Sequence, residues 1–530
     1  MENSVSPVVL ISVSDKSGIV SFAKSLNDRI GAKLVSSAGT AVVFNQNGIE
    51  TDTVEDWTGF PEILDGRVKT LHPVIHAGIL ADSSKKSHLQ DLADRNILPI
   101  SVVVVNLYPF EKVLLELSSS HEALIENIDI GGATLLRSAA KNYKNVLVVV
   151  DPSDYERVLD QLSKDGGVDC SFRLEMAAKA FEVIANYDHA ISAYFSGYIR
   201  KNFSDSKTSL PFSFEPHLLL CLKKKQDLRY GENAHQRAVL YVSSSSREGG
   251  VSHATLLQGK SLSYNNLVDA DTAWACASSF GELACVIVKH ANPCGLAVAE
   301  TSIDAYRKAL RCDELSSFGG IVAFNVEVDE ETALDILKIF VEVVIAPSFT
   351  DGAKQVFSRK PNVRVLVPSN SYGQNECEFK HISGGGVLIQ DIDCRKISFD
   401  DCRVVSDRQP TKLQQRDLMF AWKAVKYVKS NAVIFCSDGM SLGIGAGQMS
   451  RVDAVDLAIF KASDRNLNLS NSVVASDAFF PFPDSIERIA KTGAVSIIQP
   501  GGSVRDQKVI DEANRHNLVM VFTGVRHFRH

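Results

Sequence analysis

In Lys289-His290-Ala291-Asn292-Pro293-Cys294-Gly295, two proton-handling side chains stand next to each other. A lysine amine loses its proton more readily when desolvated, and an imidazole titrates near neutrality. Such a pair can move a proton and steady a developing negative charge. Ahead of it runs Ala284-Cys285-Val286-Ile287-Val288, apolar, β-branched and of strand length. The sequence therefore predicts a Lys and a His at a strand's exit, just before a Pro-Cys-Gly turn, where open α/β sheets bind ligands. The plainer alternative is a solvated strand end.

A second group of chemistry-bearing residues occupies the first third. Ser14, Asp15 and Lys16 follow the strand-like run Pro7–Val13, and Ser37, Gly39 and Thr40 follow a second run at 33–36. Hydroxyls and free N–H groups at such helix starts suit a phosphate, although Ser and Asp are also ordinary helix caps. Gly66-Arg67-Val68-Lys69-Thr70-Leu71-His72-Pro73 adds two cations and a hydroxyl before a proline. An Arg fork and a Lys point charge complement phosphate, and a solvated basic loop is the alternative. Asn106 and Tyr108 sit at the exit of the apolar run 100–105. Asp129-Ile130-Gly131-Gly132 opens a helix whose polar stripe carries Thr134, Arg137 and Lys141. Asp129 at the entrance and Lys141 at the end are also what the helix dipole alone would favour.

Further polar clusters follow. Arg229 and Tyr230 lie in Leu-Arg-Tyr-Gly-Glu-Asn; Gly319 ends Ser316-Ser317-Phe318-Gly319; Glu342 precedes a short strand at 343–346. Asn431 opens a strand exit, and Gly443-Ile444-Gly445-Ala446-Gly447 permits close backbone approach to a ligand without matching a dinucleotide fingerprint. Phe479 belongs to an aromatic cluster able to sandwich a flat heterocycle, with hydrophobic core as the alternative.

The elements that must position these groups are alternating strands and helices. At 530 residues the chain exceeds one ordinary core and implies two to four domains. Strand–loop–helix units over the first 150 residues predict a parallel sheet, and residues 151 to about 200 read as helical. Lys201 to Pro216, polar and Ser/Lys-rich, is the linker candidate. Two later α/β blocks, roughly 217–380 and 381–530, suggest an internal duplication, with no repeat visible letter by letter. A net charge of −7 argues against a general nucleic-acid binder. Ten cysteines without a Cys-x-x-Cys pair fit reduced thiols in a cytosolic protein. The residues after Met1 lack a signal-peptide pattern, and no apolar run reaches ~18 residues, so a cytoplasmic protein without a membrane partner is expected.

Taken in order, these motifs resemble one family. Ser-Val-Ser-Asp-Lys-Ser-Gly, Gly-Arg-Val-Lys-Thr-Leu-His-Pro, Asn-Leu-Tyr-Pro-Phe and Asp-Ile-Gly-Gly…Ala-Ala-Lys-Asn stand in the first third. Leu-Arg-Tyr-Gly-Glu-Asn, Lys-His-Ala-Asn-Pro-Cys-Gly, Ser-Ser-Phe-Gly-Gly, Gly-Ile-Gly-Ala-Gly-Gln and Ser-Asp-Ala-Phe-Phe-Pro-Phe follow. The sequence is similar to the bifunctional phosphoribosylaminoimidazolecarboxamide (AICAR) formyltransferase / IMP cyclohydrolases of purine biosynthesis. The resemblance implies an α/β protein: a methylglyoxal-synthase-like cyclohydrolase domain over about 1–200, its core about 1–150, then a transformylase domain over about 201–530 made of two cytidine-deaminase-like subdomains. It implies formyl transfer from 10-formyltetrahydrofolate to AICAR, then closure of formyl-AICAR to IMP, in a homodimer with shared transformylase sites.

By the same resemblance, Ser14, Asp15, Lys16, Ser37, Gly39, Thr40, Arg67, Lys69 and Thr70 would meet phosphate and ribose. Lys69, Asn106, Tyr108, Asp129 and Lys141 would surround the closing ring, with Lys141 as proton donor and acceptor. Ala38 departs from the family's usual Gly, and its methyl group could crowd a backbone–phosphate contact. Arg229, Tyr230, Gly319, Glu342, Asn431 and Arg526 would hold AICAR; Arg451, Val452, Phe479, Asp484, Ser503 and Val504 would hold the folate. His290 would be the general base for the poorly nucleophilic amine, with Lys289 assisting charge development. A zinc deaminase would need Pro-Cys-x-x-Cys; Pro293-Cys294 runs on into Gly-Leu-Ala, so no catalytic metal is expected. The rival reading of the first 200 residues is a phosphate-sensing module without catalysis.

Overall fold

Strand β1 (Val8–Val13) is the middle of a five-stranded sheet completed by β2 (Lys33–Ser36), β3 (Asp52–Thr53), β4 (Ile100–Asn106) and β5 (Leu147–Val149). The order is β3-β2-β1-β4-β5 and every pairing is parallel. Helices cover the sheet's faces, so β1 and β4 are nearly continuous apolar runs. Strand order reverses at β1, whose neighbours β2 and β4 continue to opposite sides; the loops after these three strands open at their carboxyl ends. The helix Gly131–Lys141 buries Leu135, Leu136, Ala139 and Ala140, and the 34-residue helix Cys170–Phe203 packs on it and on the edge of the sheet.

The computed structural model describes residues 6–115, 120–203, 217–243, 249–369 and 377–530. The first residues after Met1, and 204–216 of the expected linker, lie outside them. The chain forms two compact units, Met1–Thr208 and Ser209–His530.

The second unit begins with a separate hairpin, β6 (Leu222–Leu228) and β7 (Ala238–Ser243). Its main sheet draws on β8 (Gly250–Gln258), β9 (Ala284–Lys289), β10 (Asn292–Val298), β11 (Gly320–Phe324), β12 (Val341–Ile345) and β13 (Arg364–Ser369). After a second hairpin, β14 (Cys377–Ile382) and β15 (Gly386–Asp391), come β16 (Arg403–Val404), β17 (Val433–Ser437), β18 (Met440–Gly445), β19 (Val473–Ser476), β20 (Ser496–Gln499) and β21 (Val519–Phe522). The twelve strands run β16-β21-β20-β19-β17-β18-β10-β9-β11-β12-β13-β8.

Counted outward from the antiparallel contact of β10 with β18, both halves show the same sequence of pairings: antiparallel, antiparallel, parallel, parallel, antiparallel. Each half also places one helix before its central hairpin, Tyr264–Ser278 or Lys412–Val425, and one after it, Ser302–Cys312 or Arg451–Asp464. The two halves thus repeat one arrangement of strands and helices, but they share one sheet, and residue 381, expected to open the second block, falls inside β14. The repeat also has letters: Asp269-x-x-x-Ala273-Trp274 recurs as Asp417-x-x-x-Ala421-Trp422, each Asp the sixth residue of its helix.

Two expectations change here. Pro293-Cys294-Gly295 is not a turn but part of β10, with a register shift between Pro293 and Gly295. A residue lacking N–H is tolerated at such a break in the ladder. Gly443 and Gly445 also lie in a strand, and a Cβ on either would collide with the carbonyl of Ala458 or Ala454. These glycines admit the helix Arg451–Asp464, not a ligand.

Candidate active sites

In the first unit the loops after β1, β2 and β4 converge. The Asn106 side-chain carbonyl accepts from the backbone N–H of Ser14 (2.5 Å) and Asp15 (2.8 Å), and its amide donates to the Asp15 carbonyl (3.0 Å). Asn106 therefore sets the shape of the Ser14–Asp15 loop. Lys16 Nζ donates to Thr40 Oγ1 at 2.9 Å. Ser37 occupies the N-cap position of the helix Ala38–Gln46 without capping it; its hydroxyl bonds Thr40 Oγ1 at 3.4 Å and Ser12 at 3.2 Å. Ala38 and Gly39 are exposed at that helix start. Burial, reinforced by the positive charge of Lys69, pulls the Lys16 amine below its usual range.

Lys69 joins this cationic end to an acidic one. Its Nζ donates to Tyr108 Oη at 2.9 Å, and it is electrostatically coupled to both Lys16 and Asp129. Burial raises the Asp129 carboxyl above the ordinary carboxylate range, against the opposing pull of the Gly132 N–H and Lys69. Asp129 Oδ1 accepts from Gly132 N at 2.7 Å, and its own N–H donates to Tyr187 Oη (2.7 Å), which donates to the Asn127 carbonyl (3.0 Å). Thr70 is buried, its hydroxyl has no hydrogen-bond partner among the described residues, and a Cβ on Gly131 would lie 2.6 Å from it. A cation pair, a phenol and a carboxyl whose affinity for its proton is raised by burial can, in one place, hold an anion and shuttle protons beside it.

Two expected members stand apart. Arg67 is exposed and ion-paired with Glu126. Lys141 ends the helix that Gly131 begins, exposed and about 15 Å along the axis at 1.5 Å per residue.

In the second unit Lys289 closes β9, and His290 and Ala291 make the turn into β10 with φ of 53° and 55°. Lys289 Nζ donates to the Phe318 carbonyl at 2.6 Å. Both turn N–H groups donate to one carboxylate: His290 N to Asp269 Oδ2 at 3.2 Å and Ala291 N to Asp269 Oδ1 at 2.7 Å. Asn292 Oδ1 accepts from Lys429 N at 3.0 Å, tying the turn to the other half of the sheet. Lys289, His290, Asn292 and Ser316 meet Ala446 and Lys461 around a cavity of about 200 Å³. It is smaller than an ordinary ligand pocket and suits the reacting end of a ligand. Lys461 is held by Asp313 at 3.3 Å. The Cys294 thiol is pushed up to about 11 by burial, which makes it a poor nucleophile.

The remaining expected ligands are dispersed. Arg229 lies over the Tyr230 ring at 5.5 Å, at the end of the first hairpin. Gly319, with φ of 71°, donates its N–H to the Phe340 carbonyl at 2.7 Å. Glu342 lies within β12, paired with Arg364 at 2.7 Å. Asn431 accepts from Arg451 Nη2 at 2.8 Å, and Nη1 of the same buried guanidinium donates to Asp477, Ser476 and the Ala432 carbonyl. That set commits Arg451 to the interior. Val452 follows it on the same helix, and Asp484 starts the helix Asp484–Lys491. Phe479 is part-exposed beside the fully buried Phe480; Val504 is fully exposed, next to Ser503; Arg526 lies over the Phe528 ring at 4.4 Å. Sequence reading missed Asp269, Tyr187 and Lys461. Only Asp269 had a local signal, its repeat at Asp417.

A doubly wound parallel domain with a cluster of Lys16, Lys69, Tyr108 and Asp129 is followed by a mixed-sheet unit of two similar halves with a cavity lined by Lys289 and His290, the make-up of an α/β protein with titratable groups gathered in both units. Residues 139–461 match the AICARFT/IMPCHase bienzyme family, and residues 18–134 match the MGS-like domain. The chain belongs to the AICARFT/IMPCHase bienzyme family. It is a bifunctional enzyme of purine biosynthesis with AICAR formyltransferase and IMP cyclohydrolase activities, and the formyltransferase implies a folate co-substrate. A solved structure described as "Crystal structure of ForH" is 33% identical, covering 36% of this chain and 100% of that one, with a TM-score of 0.33. Among the described residues no helix is long and apolar enough to cross a membrane.

Proposed function

We propose that the two activities are divided between the two units. Ring closure uses the Lys69–Tyr108–Asp129 cluster, and formyl transfer uses Lys289 and His290. The observation that carries this reading is that each unit holds its own group of proton-handling side chains at a turn or strand exit. In formyl transfer the AICAR amine attacks the formyl carbon of 10-formyltetrahydrofolate. His290 accepts the proton the amine must lose, and Lys289 steadies the oxyanion until the folate nitrogen departs. General acid–base help of this kind is worth ~10²–10⁴-fold. In ring closure the carboxamide nitrogen attacks the formyl carbon; Lys69 and Tyr108 polarise the formyl oxygen, Asp129 handles the amide proton, and water leaves. Lys16, Ser37, Gly39, Thr40 and Thr70 hold the phosphate and ribose.

The same reading gives AICAR to Arg229, Tyr230, Gly319, Asn431 and Arg526, and the folate to the surface carrying Val452, Phe479, Asp484, Ser503 and Val504. It includes a cytoplasmic homodimer with shared transformylase sites, no nucleic-acid or membrane partner, and no catalytic metal. The test is reciprocal. His290→Ala stops formyl transfer and leaves cyclisation of supplied formyl-AICAR intact, and Lys69→Ala does the reverse. If either substitution removed both activities from folded protein, the division would fail. Lys141→Ala decides a narrower point: loss of cyclisation would make Lys141 the proton donor and acceptor despite its distance along the helix, and retention would leave that work to Lys69 and Asp129.

A further inference from the structure

His290 and Ala291 both carry a Cβ yet both adopt the left-handed conformation, which such residues rarely take. Something outside the turn must hold them there. The only side chain whose hydrogen bonds to both turn N–H groups are seen among the described residues is Asp269, one carboxylate oxygen on each. The other half of the sheet contains the same device. At the β17–β18 turn, Asp438 and Gly439 have φ of 50° and 63°, and Asp417 accepts from their N–H groups at 3.0 and 3.2 Å. There the second position is glycine, which takes the conformation freely, and the turn holds Asp438 against Lys308 and Arg416. The copy that lines the cavity keeps the more strained pair, and strain kept at one copy of a duplicated turn points to function.

We propose that Asp269 is a positioning residue for formyl transfer: its carboxylate fixes the His290–Ala291 turn so that the imidazole stays aimed into the cavity. This rests on His290 being the proton acceptor. Asparagine is the sharp test, because it offers one acceptor oxygen where the turn needs two, and it sets an NH₂ group against the remaining N–H. A misplacement of about 1 Å can cost ~10²-fold in rate. In the full-length enzyme, Asp269→Asn is expected to lower kcat for formyl transfer 10- to 100-fold with the KM for AICAR changed less than threefold. Cyclisation of supplied formyl-AICAR should be unchanged. Adding Ala291→Gly to that variant should recover most of the lost kcat, since glycine holds the turn without a clamp. Asp417→Asn, which breaks the same bonds at the other turn, should change kcat less than threefold.

The proposal is overturned if Asp269→Asn keeps kcat within threefold, if it fails to fold, if the added Ala291→Gly change recovers nothing, or if Asp417→Asn costs as much as Asp269→Asn. Failure of the underlying reading looks different: His290→Ala would itself retain formyl transfer. An inactive His290→Ala beside a fully active Asp269→Asn would remove only the role of Asp269.

Discussion

Asp129 sits where stability and chemistry pull in opposite directions. Burial raises its pKa, so the folded chain binds this proton more tightly than the unfolded chain does. The stability linked to that proton is fully present below the ordinary value of 3.8 and is lost as pH rises through the elevated one. At neutral pH the folded state carries a carboxylate that its surroundings disfavour. An asparagine in its place would keep an oxygen for the Gly132 N–H without ionising. Asp129→Asn is therefore expected to be at least as stable as the parent at pH 7, with the gap shrinking toward pH 4, while cyclisation falls by about 10²-fold or more, the scale of general acid–base help. Denaturant titrations at the two pH values, beside an IMP assay, check both halves. A less stable variant at pH 7 would mean that the pairing with Lys69 outweighs burial. The positions of such residues were legible because their types are conspicuous at strand exits and helix starts. The ion pairs of Arg67, Glu342 and Arg451 were not, because their partners Glu126, Arg364 and Asp477 lie 22 to 59 positions away and nothing local announces them.

At the scale of elements, the glycines of β10 and β18 set how closely the following helices pack. A Cβ on Gly295 would meet the Ala309 carbonyl, and one on Gly443 the Ala458 carbonyl, both backbone atoms of a helix that cannot yield without moving. Overpacking of this kind costs about 1–3 kcal/mol. Gly295→Ala and Gly443→Ala should each lower stability by that amount in a urea titration. Gly295→Ala should in addition slow formyl transfer, because β10 leads out of the His290 turn. Equal loss of activity in both variants would argue for a general loosening of the sheet instead. Strands β1, β2 and β4 were readable to within a residue, since buried parallel strands are plain apolar runs, whereas the two-residue β3 offered no such run. The Pro-Cys-Gly stretch was misread as a turn, and the Gly-Ile-Gly stretch as room for a ligand, for one shared reason. Proline and glycine punctuate local structure, but here tertiary packing uses them inside strands, at a ladder break and at a helix contact.

Over the whole molecule, sequence alone suggested two α/β blocks after the first domain. Their fusion into one twelve-stranded sheet was hidden, since the seam between β10 and β18 is a single antiparallel pairing of residues far apart in the chain. The first unit, by contrast, has a complete sheet and its own buried core, from Val8 to Ile184. Its cluster of Lys16, Lys69, Tyr108 and Asp129 also falls wholly within Met1–Thr208. A fragment of residues 1–208 should therefore fold and convert formyl-AICAR to IMP with kcat within about threefold of the full chain, because proximity and proton transfer are supplied inside that unit. The complementary fragment, 209–530, should consume AICAR and 10-formyltetrahydrofolate and accumulate formyl-AICAR, and mixing the two should restore IMP formation. A folded 1–208 fragment that binds formyl-AICAR but never yields IMP would return the first unit to a sensing role, and would require the ring-closing groups to come from elsewhere. In the reverse case, full cyclisation by 1–208 with no formyl transfer by 209–530 would mean that the second site needs more than its own unit supplies.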